Sequence, residues 1–168
     1  MSGRTDAERV TVERDGAVLR IGLARPAKRN AFDLPMIDQL AAAYARLGDD
    51  PQIRVGVLYA HGDHFSAGLD LAQVGPLVAE RGPQVLAGPG PYDPFGVWAE
   101  PVPKPVVLAV HGLALTLSIE LALAADIVVA PATCAFASSR SVAAWCRTAG
   151  RRSEGRSSSA GAMPCASC

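Results

Sequence analysis

Aromatic side chains are scarce in this sequence, 5% of 168 residues, and net charge is absent, with sixteen Lys and Arg balanced by sixteen Asp and Glu. A neutral chain has no overall electrostatic drive toward nucleic acid or anionic lipid, which argues against a general polyanion binder. The four cysteines have no disulfide-framework spacing, and Met1 to Glu8 is polar where a secretory leader would be basic and then apolar. These absences point to a cytoplasmic setting. No internal repeat is found. What is present, 49% hydrophobic and 19% charged residues, suits one ordinary globular domain.

The composition changes near residue 138. Residues 138–168 hold five of the sixteen basic residues, one of the sixteen acids, eight serines and three of the four cysteines. The run around Arg151, Arg152 and Ser153 has no sustained apolar face, which is the composition of a disordered segment. Its arginines lack interleaved aromatics, so they read as a solvated charge run and not as a nucleic-acid interface. The fold is expected within residues 1–137.

There, Val10 and Val12, then Leu19, Ile21 and Leu23, alternate about Asp15 and Gly16 and predict a β-hairpin turning at that dipeptide. Residues 25–30 form a polar loop. Asp33 suits a helix N-cap and Pro35 a first turn, and Leu34, Ile37, Leu40, Ala41, Tyr44 and Leu47 recur at helical spacing. A buried strand over 54–60 runs into a loop over 61–68, and a helix over 71–80 follows. Gly and Pro crowd residues 82–105, predicting a mobile loop, a candidate lid, with one short helix near Phe95 to Ala99. A strand over 106–110, a turn over 111–114, a helix over 115–125 and a strand over 126–130 complete an α/β alternation.

The apolar run over 106–130 is long enough to cross a bilayer, for which about 20 residues suffice. Against that reading, His111, Glu120 and Asp126 would lie in hydrocarbon, each carboxylate costing roughly 2.5–3.5 kcal/mol at the centre. A buried strand-helix-strand unit accommodates the same residues, so no membrane span is expected.

Two loop-to-helix junctions carry candidate chemistry: Phe65 to Leu71, and His111 to Glu120. Each follows a strand and offers unpaired N–H groups where a helix dipole favours negative charge. Facing one cavity, they would make an oxyanion hole; read more simply, Gly68 and Gly112 permit turns. Glu120 has Thr116, Leu117, Leu123 and Ala124 as its helical neighbours, an apolar setting in which desolvation favours the protonated carboxyl and suits proton transfer. The simpler alternative has Glu120 reaching solvent at a helix edge. His61, Asp63, His64 and His111 lack a convincing metal-ligand geometry, and no metal is expected.

The order of motifs resembles the crotonase superfamily, the enoyl-CoA hydratase/isomerase family, from about Val10 to Ala137. The likeness rests on the Arg25-Pro26-Ala27-Lys28-Arg29-Asn30-Ala31 loop, Phe65-Ser66-Ala67-Gly68-Leu69-Asp70-Leu71, Lys104-Pro105, His111-Gly112, Ile119-Glu120-Leu121-Ala122 and Ala125-Asp126-Ile127. It implies a ββα spiral core, trimer-based homo-oligomers and an acyl-CoA thioester substrate, of which coenzyme A is a part, with no separate cofactor. Carried over by position, the N–H groups of Leu69 and Leu117 would hold an enolate oxygen. Glu120 matches the first of two hydratase carboxylates, and Ala31, Ala67, Asp70 and Leu71 fall where the family lines its CoA site. Leu117 stands where many relatives have glycine.

The resemblance also implies departures. Arg140 stands where hydratases place their second glutamate, so water addition by two carboxylates cannot run as drawn. The terminal helices that complete the acyl pocket and the trimer are missing, which makes this a truncated core with the trimer in question. One inserted cytosine before the codon of Ser138, with suitable synonymous codons, restores Phe-Ala-Gln-Leu-Glu-Val, so we expect a frameshifted tail with incidental cysteines. The expected activity is enolate chemistry on acyl-CoA in fatty-acid or related metabolism; the rival reading is a non-catalytic remnant.

Overall fold

The computed structural model describes residues 8–137. The arginine- and serine-rich segment, Arg140 and three of the cysteines lie outside the described residues. The chain opens with β1 (Val10–Asp15) and β2 (Val18–Leu23), an antiparallel pair in which Asp15 faces Val18. The two turn residues are therefore Gly16 and Ala17, one position later than the sequence suggested. Gly16 has φ +58° and Ala17 does not share a positive φ, the asymmetry expected when glycine leads a type II′ turn.

After a 3-10 turn at Pro26–Lys28 comes α1 (Leu34–Asp49). The Asp33 side chain accepts from the Met36 N–H at 3.0 Å, as its sequence position predicts. Such a cap contributes about 1 kcal/mol. The i, i+3, i+4 apolar stripe of α1 buries Met36, Ile37, Leu40, Tyr44 and Leu47 against the sheet. Truncating one of these, Leu47→Ala for instance, would cost roughly 2–5 kcal/mol. β3 (Val55–Ala60) and β4 (Val106–Ala109) extend the sheet in parallel, and β6 (Ile127–Val129) closes it in the order β1-β2-β3-β4-β6. Leu19, Ile21, Leu23, Leu58, Val106 and Leu108 project into the shared core.

The second strand of each ββα turn, expected from the resemblance but not located along the chain, lies in a second layer. β5 (Leu113–Leu115) pairs in parallel with β7 (Ala135–Ala137), where the sequence suggested a turn at 111–114. Isolated bridges continue this layer: Ser66 with Ala114, and Leu69 with Phe32. Three successive turns of the chain, led by the β1–β2 hairpin, by β3 and by β4, each add a short extended piece to the second layer and a helix, and β6 and β7 follow. The helices are α1, α2 (Leu71–Arg81) and α3 (Leu117–Ala124). This is a ββα spiral, and it brings the segments after β2, β3 and β4 side by side.

Residues 82–105 are laid along α1. Gly88 and Gly90 lie against Ala41, Tyr92 lies over Gly48, and the Lys104 ammonium donates to the Leu47 and Asp50 carbonyls at 2.7 and 2.5 Å. The expected lid is thus anchored to α1. The expected helix near 95–99 is also replaced, by a turn whose Phe95, Val97 and Trp98 N–H groups all donate to the buried Asp93 carboxylate at 2.6–2.8 Å. The short helix of this segment is instead a 3-10 turn at Pro83–Leu86. Among the described residues, no helix is long and apolar enough to cross a membrane.

Candidate active site

The site is built where the second layer ends. Gly68 has φ +86°, and a Cβ placed there would sit 1.9 Å from Thr116 Oγ1 and 2.9 Å from the Leu115 carbonyl. The loop before α2 and the loop before α3 are therefore in direct contact at Gly68 and Thr116. The next residue in each loop is Leu69 and Leu117, the two whose amides the sequence singled out. Among the described residues, no hydrogen-bond acceptor is found for either amide.

Thr116 itself is strained, with φ 49° and ψ −104°. A β-branched residue rarely adopts such a conformation, whose cost is of order 1–3 kcal/mol. It is held by its own N–H, which donates to the Ala137 carbonyl at 3.0 Å, and by β5 preceding it. Strain of this kind is maintained where packing over-determines the backbone, and here it turns the start of α3 toward the other loop. The Leu117 side chain is buried in the core, so its bulk contributes to packing and its amide lies at the helix start.

Glu120 lies one turn into α3 and is 6% exposed. The Glu therefore does not snorkel out to solvent. Ala31 and Ala67 are half-buried and adjoin the same loops, with the Ala67 N–H donating to the Arg29 carbonyl at 2.8 Å. Leu71 is 71% exposed at the start of α2. Asp70 occupies the N-cap position of α2 but makes no side-chain cap; its carboxylate goes to Arg25 at 2.9 Å.

Sequence reasoning passed over the residues that hold these loops together. Asn30 is fully buried with φ 52°, a left-handed conformation that asparagine tolerates better than most residues. Its Oδ1 accepts from the Arg25 N–H at 2.7 Å, and its Nδ2 donates to the His61 and His64 carbonyls at 2.8 and 2.9 Å. Ser66, also fully buried, donates its hydroxyl to the Asn30 carbonyl at 2.7 Å and accepts from the Gly68 N–H at 3.0 Å. Its backbone bonds β5 on both sides. The signal available in the sequence was the polar density of residues 25–30 itself, since four polar side chains ahead of a helix must find partners if any is buried.

His61 contacts Thr11 Oγ1 at 2.9 Å, and the His111 ring contacts the Gly62 carbonyl at 2.8 Å. Among the described residues, no group of three or more His, Cys, Asp or Glu side chains is placed to hold a metal ion.

The stacked ββα turns, with the loops before α2 and α3 in contact at Gly68 and Thr116 and Glu120 buried one turn into α3, have the form of a crotonase-type core. The chain belongs to the enoyl-CoA hydratase/isomerase family, whose sequence model matches residues 13–144. It is 36% identical over 132 residues to carnitinyl-CoA dehydratase of Escherichia coli, an alignment covering 78% of this chain and 49% of that protein. It is 37% identical over 126 residues to mevalonyl-coenzyme A hydratase of Beauveria bassiana, covering 71% of this chain and 44% of that one. Among solved structures, a probable enoyl-CoA hydratase/isomerase from Mycobacterium abscessus superposes with a TM-score of 0.72 at 48% identity, covering 77% of this chain and 49% of that one. The chain spans about half the length of the relatives it matches.

Proposed function

We propose that this chain binds an acyl-CoA thioester and polarises its carbonyl between the Leu69 and Leu117 amides, with Glu120 exchanging a proton at the α-carbon. The observation that carries this reading is the contact of Gly68 with Thr116, which puts on touching loops two amides that have no acceptor among the described residues. Negative charge must gather on the thioester oxygen when the α-carbon loses a proton, and a preorganised amide lowers that barrier by about 3 kcal/mol. Amides already aimed at the oxygen need no reorganisation as the charge develops. Ala31, Ala67, Asp70 and Leu71 border the proposed CoA site, and the relatives named as acting on CoA compounds support the substrate class.

The experiment is α-proton exchange of butyryl-CoA in D₂O, followed by NMR, alongside calorimetric binding of the same thioester. Binding with measurable exchange is expected; absence of thioester binding to the folded protein would refute the reading. Binding without exchange would support the remnant reading. That second reading is favoured by the exposed apolar side chains of Leu123, Ile127 and Val129, which leave the α3 and β6 side of the molecule uncovered among the described residues.

A further inference from the structure

We infer that Arg25 is a positioning residue for the Leu69 amide, acting through two peptide planes that it clamps in series; the inference rests on the oxyanion-hole reading above. Arg25 is 7% exposed, and its Nη1 donates both to the Ala31 carbonyl and to the Asp70 carboxylate, each at 2.9 Å. The Ala31 carbonyl belongs to the same peptide as the Phe32 N–H. In a trans peptide these two groups point in opposite directions, so a bond to one aims the other. The Phe32 N–H donates to the Gly68 carbonyl at 2.8 Å. That carbonyl shares a peptide with the Leu69 N–H, so the same geometry turns the Leu69 N–H away from Phe32. One guanidinium nitrogen therefore orients the first peptide, and through it the second, whose N–H is the proposed oxyanion donor.

The far side of Leu69 is held by the same nitrogen. The Asp70 N–H donates to the Phe32 carbonyl at 2.9 Å, and the Asp70 carboxylate is bound by Arg25 and does not cap α2. Gly68, at φ +86°, has no Cβ to restrict its flanking peptides. Without the clamp, the Gly68–Leu69 peptide is the one most free to rotate. Arg25 is itself fixed through its Nε, 3.3 Å from Asp33 Oδ2, which ties the clamp to the α1 N-cap. A lysine could not replace it, because one ammonium lacks the planar fork that spans Asp33, Ala31 and Asp70.

The test reads the thioester carbonyl directly. Butyryl-CoA labelled with ¹³C at the carbonyl is bound to the wild-type chain, to Arg25→Met and to Arg25→Lys, and its stretching band is recorded by difference infrared spectroscopy beside calorimetric affinity. Circular dichroism establishes that each variant is folded, and Arg25→Lys, which keeps a buried cation beside Asp33 but lacks the planar fork, carries the test if Arg25→Met is not. In the wild type the band moves to lower wavenumber. In the variants the shift should shrink and α-proton exchange slow by on the order of 10²-fold, with affinity changed only a few-fold. Loss of affinity with an unchanged shift would mean that Arg25 contacts the CoA moiety, and would overturn the inference. So would variants indistinguishable from wild type. Binding by the wild type with no carbonyl shift would remove the oxyanion-hole reading and the Arg25 inference together, whereas a wild-type shift retained in both variants would remove the inference alone.

Discussion

Gly68 and Thr116 touch: a Cβ on the former would fall 1.9 Å from the hydroxyl of the latter, and both residues have positive φ. Two positive-φ residues, of which only Thr116 is strained, are thus placed against each other, one residue before Leu69 and Leu117. The proposed pairing of the Leu69 and Leu117 amides rests on this contact. Gly68→Ala would force the loops apart and strain a backbone at φ +86°. We expect α-proton exchange to fall about 10²–10³-fold, the effect of losing one oxyanion donor, while circular dichroism stays close to wild type. Exchange kept within a few-fold would show that the contact does not set the spacing of the amides.

The strain at Thr116 makes an opposite prediction for stability. Glycine at this position relieves a conformation costing about 1–3 kcal/mol while adding up to about 1 kcal/mol of backbone entropy to the unfolded chain. Thr116→Gly should therefore hold or raise the urea midpoint, and Thr116→Val, which keeps the β-branch, should leave the strain in place. A Thr116→Gly variant much less stable than Thr116→Val would show that packing of the Thr116 side chain dominates.

Glu120 is buried on the helix that Leu117 begins. Replacing it with glutamine keeps the shape and removes the base, so exchange should drop about 10²–10⁴-fold with thioester affinity retained. Full exchange activity in Glu120→Gln would transfer the proton-handling role to another group.

The hairpin, α1 and its Asp33 cap could be read from the sequence because each carries a repeating or positional signal: alternation about a turn, a 3.6-residue stripe, an acidic side chain before a proline. β5 and β7 could not, since three residues are too few to show a period and their pairing joins residues 113–115 to 135–137 across a helix. The turn around Phe95 deceived the reading for a related reason. Its N–H groups are satisfied by one buried carboxylate, Asp93, instead of by a helical ladder. Leu69, Leu117 and Glu120 could be named by resemblance, but Arg25, Asn30 and Ser66 act through backbone atoms distant in the chain, and a linear reading contains no partner for them.

Burial, then the charges of Asp93 and Asp126, push the Tyr44 phenol above its ordinary value. The folded state therefore holds its proton more tightly than the unfolded chain, whose phenol ionises near pH 10. The associated stability is complete below about pH 10 and declines as pH rises further, by roughly 1.4 kcal/mol per pH unit until the folded-state phenol ionises. Tyr44→Phe should show a flatter alkaline limb in urea denaturation from about pH 9 to 11. Parallel limbs in the two proteins would show that Tyr44 does not contribute to alkaline unfolding.

Ile127 and Val129 are 55% and 57% exposed on β6, with Leu123 of α3 at 70% and Phe136 of β7 at 46%. β6 pairs with β4 on one side, and among the described residues it ends the sheet order, its other edge presenting backbone groups beside apolar side chains. An edge of that kind templates intermolecular pairing. Charged side chains there disfavour it at little cost, because these positions contribute almost nothing to the buried core. The double substitution Ile127→Lys with Val129→Lys should lower light scattering at high protein concentration and shift gel filtration toward a single small species, while the urea midpoint moves by less than about 1 kcal/mol. Unchanged self-association in that variant would place the sticky surface elsewhere. A large loss of stability would instead mean that β6 is covered in solution by other parts of the protein.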